Sequence, residues 1–148
     1  MTDGRTSYTS SNTTRQYDIR RHYTCQSRMV VYLVTCLLCP DKKQYTGKTI
    51  RSMAERHRGH RAEIKSASLG EHFHKHLLDM GLDPKANNNI EKIVPYFDLV
   101  VIASVNPGSP RAEDRLDRLE ADFQHRLMTM NTHGGLNLRC EVKRHSKK

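Results

Sequence analysis

Met29-Val30-Val31-Tyr32-Leu33-Val34 is followed after a short gap by Lys43-Gln44-Tyr45-Thr46-Gly47, and these two runs set the sheet on which the rest of the chain is arranged. The first run is apolar and β-branched, which predicts a buried strand; the second predicts its hairpin partner, with Cys39-Pro40-Asp41 in the loop between them. Working outward, Ser52-Met53-Ala54-Glu55 has the spacing of a capping box, so a helix is expected over 53–66. Ser68-Leu69-Gly70-Glu71 repeats that signal. The helix it opens sets Leu69, Phe73, Leu77 and Met80 on one face and stops at Gly81, a left-handed cap.

Residues 83–95 hold Pro84 and Asn87-Asn88-Asn89 and read as a surface loop. Residues 97–105 predict a third strand. Asn106-Pro107-Gly108-Ser109-Pro110 breaks the chain, with Ser109 as N-cap and Pro110 at the first position of a long helix reaching about Met128. His133-Gly134-Gly135 then turns the chain into a last short segment, 136–138.

At 148 residues there is room for one domain with a modest core, and 36% hydrophobic with 28% charged residues suits a soluble fold. The longest apolar run is strand-sized, so no membrane span is expected, and the polar start of the chain lacks a secretory stretch. An intracellular, nuclear setting is expected. Residues 1–24 read as a flexible basic arm ending in Arg20-Arg21-His22, 25–139 as the domain, and 140–148 as a basic tail. The net charge of +9, with a pI near 9.6, points towards a polyanion such as nucleic acid. Six tyrosines, three phenylalanines and no tryptophan argue against a base-stacking single-strand platform.

Several residues break the patterns around them. Glu120 lies inside the stripe Leu116, Leu119, Phe123, Leu127, where a desolvated carboxylate needs compensation; the ordinary explanation is an edge glutamate paired with Arg115 or Arg118. Arg56 and His60 share a helix face with Met53 and Ile64, the side that should meet the sheet. Cys36-Leu37-Leu38-Cys39 is a C-x2-C knuckle, which in an intracellular chain is a metal half-site rather than a disulfide. His72 and His76, four apart on one helix face, can complete a Cys2His2 zinc site, with His74 as the fallback ligand. Cys25 and Cys140 are read as free thiols.

Taken in order, Tyr32, Tyr45-Thr46-Gly47, Arg56, His60, Glu120 and Asn137 resemble the GIY-YIG nucleases. The first glycine and isoleucine of that motif are replaced by Val30 and Val31, and the second isoleucine by Thr46. Val30 to Cys36, the cysteine pair, Glu120-x-x-Phe123, Leu127-x-Thr129 and Gly135-Leu136-Asn137 look like the endonuclease domain of Penelope-like retroelements. The resemblance covers roughly residues 25–139. It implies an α/β domain, a small three-stranded antiparallel sheet flanked by helices, with a zinc knuckle.

It also implies a DNA endonuclease that nicks its target to leave a 3′-OH primer for target-primed reverse transcription by the reverse transcriptase of the same element. Glu120 would hold Mg²⁺ or Mn²⁺, Arg56 would stabilise the nonbridging oxygens, Tyr32 or Tyr45 with His60 would activate the water, and Asn137 would brace the site. Lys48, Arg51, Arg58 and Arg61 would contact phosphates of double-stranded DNA. Two other readings stand beside it: a non-catalytic, zinc-stabilised nucleic-acid-binding module, and a freestanding repair or homing nuclease of the same superfamily. The Cys2His2 set and the Gly-Leu-Asn tail argue against the last.

Overall fold

A computed structural model describes residues 6–19, 21, 23, 24, 26–52, 69–83, 90–130, 132 and 134–137. The elements are β1 (Ser7–Thr9), β2 (Gln16–Asp18), β3 (Val30–Cys36), β4 (Gln44–Thr49), α1 (Leu69–Asp79), α2 (Ile90–Ile93) with a 3-10 turn at Val94–Tyr96, β5 (Phe97–Ser104) and α3 (Ala112–Arg126). Three strands form an antiparallel sheet in the order β4-β3-β5, which makes the apolar strand central and β4 an edge. The expected α/β class with a small antiparallel sheet is present.

Alternation along β3 divides the core into two layers. Val30, Tyr32 and Val34 point to the side where Leu99 and Val101 of β5 meet Phe73 and Leu77 of α1 and Ile93 of α2. Val31 and Leu33 point the other way, with Val100 and Ile102, against Leu116, Phe123 and Leu127 of α3. A strand covered on both faces has no polar side, which is why its sequence runs apolar without alternation. The β3–β5 register shifts between Val31 and Tyr32, as in a bulge. Among the described residues no helix is long and apolar enough to cross a membrane.

Four expectations are corrected. The 1–24 arm contains a folded hairpin, β1–β2, rather than only flexible chain. Tyr8 is buried and stacks on Tyr17 at 5.4 Å. Ser10 Oγ donates to the Leu127 carbonyl at 2.8 Å and Asn12 Nδ2 to that of Met128 at 2.7 Å, so polar residues that look like linker composition satisfy the end of α3. The second correction is the start of α3. Arg111 occupies the N-cap at φ 55° without a side-chain cap bond, while Ser109 donates through its amide and Oγ to the Asn106 carbonyl at 3.0 and 2.7 Å. The turn closes on itself before the helix begins.

The third lies in 83–95, where α2 replaces loop at its C-terminal end because Ile93 is fully buried; residues 84–89 are outside the described set. The fourth is Met80, which is exposed rather than on the packed face. Gly81 does end α1 at φ 76°, with Leu82 N–H donating to the Leu77 carbonyl at 2.9 Å and Gly81 N–H to that of Leu78 at 3.0 Å, a Schellman cap. The helix expected over 53–66 lies outside the described residues.

Candidate functional site

Cys36 closes β3 and Cys39 sits three residues on, in the turn toward β4. That turn is tied down by the Cys36 amide donating to the Lys43 carbonyl at 2.9 Å and the Lys42 amide to that of Cys39 at 3.1 Å. Phe73 and Leu77 anchor α1 on the same layer as Val34 and Cys36, and helical periodicity then turns His72 and His76 toward the knuckle.

The four donor atoms lie within 4.8 Å of one another. The thiols are 3.5 Å apart, Cys39 Sγ is 3.0 Å from His72 Nε2 and 3.3 Å from His76 Nε2, Cys36 Sγ is 3.5 Å from His76 Nε2, and the two Nε2 atoms are 3.2 Å apart. Tetrahedral zinc, with sulfur at ~2.3 Å and nitrogen at ~2.0 Å, sets its ligand atoms about 3.3–3.8 Å apart. Three of the separations, 3.3 to 3.5 Å, fall in that range, those of 3.0 and 3.2 Å are shorter, and none exceeds 4.8 Å, so the four donors are gathered closely enough to hold a metal such as zinc. Burial, then the hydrogen bond with Cys39, pushes the Cys36 thiol up to about 11, and burial, then His76, pulls His72 down to about 4. His72 therefore presents a neutral ring with a lone pair. A metal arriving there displaces thiol protons. The fallback ligand His74 is not in the group.

Tyr32 and Tyr45 occupy the same layer, their rings 6.5 Å apart. Tyr32 is paired with Gly47 across the β3–β4 ladder, and a Cβ at Gly47 would run into the Tyr32 phenol. The glycine of Tyr-x-Gly is thus the gap that receives the phenol end of a fully buried tyrosine over the edge strand.

On the opposite face, α3 packs against β4 with a row of polar side chains. Asp117, Glu120 and Gln124 are all buried along one face of the helix. Lys48 of β4, read as a phosphate contact, is ion-paired with Asp117. Asn137, expected to brace a catalytic site, bonds to backbone: its Oδ1 accepts from the Thr46 amide at 2.7 Å, and its Nδ2 donates to the Thr46 carbonyl at 2.8 Å. Leu136 N–H donates to Gln44 O at 2.9 Å, so this segment closes the open edge of β4. Gly135 allows the turn, since a Cβ there would overlap the Thr129 carbonyl.

The tyrosine pair and Glu120 therefore belong to opposite layers that share β4. Arg51 is exposed just beyond that strand. Arg56, His60, Arg58, Arg61, Cys25 and Cys140 lie outside the described residues.

No protein-family model matches this chain, and no curated protein or solved structure matches it.

Asp117 and Gln124 escaped the sequence reading, because they flank the apolar stripe of their helix rather than fall inside it as Glu120 does. Thr129, quoted only for the family resemblance, has its hydroxyl 3.0 Å from that of Thr46.

Proposed function

We propose that this chain is a zinc-stapled, metal-dependent DNA endonuclease of the GIY-YIG type. The observation that carries the reading is the Gly47 gap: a buried tyrosine whose phenol end lies over an edge strand, beside a second tyrosine, with a buried carboxylate on the helix that packs against that strand. A phenol and a carboxylate are costly groups to bury, and phosphodiester hydrolysis needs both a proton acceptor and a cation site. Zinc at Cys36, Cys39, His72 and His76 would fix the far end of the β3–β4 hairpin and so the attitude of both tyrosines.

In this reading Tyr32 or Tyr45 orients and deprotonates the water, with His60 receiving the proton, and Arg56 meets the nonbridging oxygens. Glu120 would hold Mg²⁺ or Mn²⁺, which when bound supplies positive charge beside the leaving 3′ oxygen. Asn137 acts at one remove, holding the Tyr45-Thr46-Gly47 backbone in place. Arg51, Arg58 and Arg61 engage the phosphates of duplex DNA. The biological extension is that the nick supplies a primer to the reverse transcriptase of the same retroelement.

A second reading, a zinc-stabilised module that binds nucleic acid without cutting it, is favoured by one observation: the tyrosines and Glu120 occupy opposite layers, and Lys48 is neutralised by Asp117. Incubating supercoiled plasmid with the zinc-loaded chain and Mg²⁺ or Mn²⁺ separates the two. Metal-dependent conversion to open circles, lost in Glu120→Ala and Tyr32→Phe, supports the nuclease; duplex binding without nicking supports the module.

A further inference from the structure

The β1–β2 hairpin does more than cover α3. Between it, β5 and α3 lies a cleft of about 680 Å³, and a second of about 340 Å³ adjoins it through Arg21, Tyr23 and Ser104. Arg21 and Arg126 line the larger one and Arg28 the smaller, all three exposed. The guanidinium of Arg126 lies 4.8 Å from the centre of the Phe123 ring. Tyr17 and Tyr23 are half-buried in the larger cleft, Tyr17 stacked at 16° on the buried Tyr8 and Tyr23 bonded through its hydroxyl to Ser104 Oγ at 3.3 Å. Leu119 and Ile102 supply an apolar floor, and Asp18 is the one carboxylate among the described lining residues.

We infer that this cleft is a second nucleic-acid site, which takes a short single-stranded segment of polynucleotide with its bases against Tyr17 and Tyr23 and its phosphates against Arg21, Arg126 and Arg28. Guanidiniums match phosphate oxygens in forked pairs, and aromatic faces accept any base. A duplex hides its base faces in its own stack, so it can use the arginines but not the tyrosines. The apolar floor has nothing to offer a free phosphate ion. Three of the six tyrosines gather here, which turns a composition too poor in aromatics for a platform into a local one. The inference is independent of hydrolysis, since binding is read with no cut made.

The test is fluorescence anisotropy on the zinc-loaded full chain. The probes are labelled oligothymidylate, oligouridylate, and the duplex of oligothymidylate with oligodeoxyadenylate, with unlabelled polyglutamate as competitor. Tyr17→Leu keeps apolar cover over Tyr8 but removes the ring, and is expected to weaken single-strand binding about tenfold with the duplex unchanged; Tyr17→Phe keeps wild-type affinity. Arg21→Ala combined with Arg126→Ala, both at exposed positions, weakens single strands more than tenfold and decides the matter should Tyr17→Leu fail to fold. Equal affinity for the two single strands means a shared base-and-phosphate site, and a preference names DNA or RNA as its source. Unchanged single-strand affinity in the double variant, an equal loss for duplex in every variant, or displacement by polyglutamate as effective as by unlabelled oligothymidylate would overturn the inference.

Discussion

The two ends of the β3–β4 hairpin are built on different principles. At the turn end, two cysteines three residues apart meet two histidines four apart, and a single packing contact, α1 on the sheet, closes the set. At the other end the candidate chemistry is spread over β3, β4, α3 and the segment that closes the β4 edge, in two layers. A metal site made of two local pairs needs only one correct tertiary contact, while a site with one residue per element needs all of them. Four experiments bear on this contrast.

The largest effect is expected at the knuckle. The purified chain should carry about one zinc, and chelation or Cys39→Ser should abolish the cooperative melting transition, because a structural zinc site contributes on the order of 10 kcal/mol, comparable with a domain's whole stability. Elemental analysis with circular dichroism melting checks this; a metal-free chain that melts unchanged would make the tetrahedron an accident of packing.

At the other end, function and folding should separate. Glu120→Ala is expected to lower plasmid nicking by roughly a hundredfold or more, the scale on which one electrostatic stabiliser acts, while the chain still melts cooperatively and its loss of stability is far too small to account for the lost nicking. Duplex binding should persist, since phosphate contacts do not pass through this residue. A protein that loses its fold yet nicks in proportion to what remains folded would make Glu120 structural.

Asn137 sharpens the contrast from inside the second region. Replacing it with Ala strips two hydrogen bonds from the Thr46 backbone and is expected to cost about 2–4 kcal/mol in denaturant unfolding. Asn137→Asp keeps the shape and the acceptor for the Thr46 amide but turns a buried carboxylate oxygen towards the Thr46 carbonyl, so it should cost at least as much as Ala. An Asp variant as stable as the wild type would show that side-chain packing, not the paired bonds, is what matters.

A smaller loss of stability than at Asn137 is expected at Gly47. Gly47→Ala forces the Tyr32 ring aside at about 1–3 kcal/mol, with a loss of nicking out of proportion to that figure. If nicking follows stability alone, the gap is a packing detail and the proposed path of the phenol is wrong.

The order of elements was legible where local chemistry is self-sufficient. The β-branched run at 30–34 makes a buried strand in any context, Gly81 supplies the left-handed cap that α1 needs, and the C-x2-C and H-x3-H spacings present donors on one side by geometry alone. The start of α3 was less legible, because Ser109 can cap a helix or close a turn and only the neighbouring Asn106 carbonyl decides which. The folded hairpin at 7–18 was hidden for the same kind of reason: serines, threonines and asparagines look like linker until the end of α3 and the edge of β4 present the groups they bond.

Residue types, spacing and periodicity by themselves determined the three strands β3, β4 and β5, the α1 helix, the metal donors and the misfit of Glu120 within its stripe, since each is a property of a few neighbours along the chain. Tertiary structure alone decided that Lys48 is neutralised by Asp117, that Asn137 grips the backbone of Thr46, that Tyr32 passes over Gly47, and that tyrosines scattered along the arm line one arginine-rich cleft. Those are relations between residues distant in sequence, and they come into being only when burial in a common core brings the elements together.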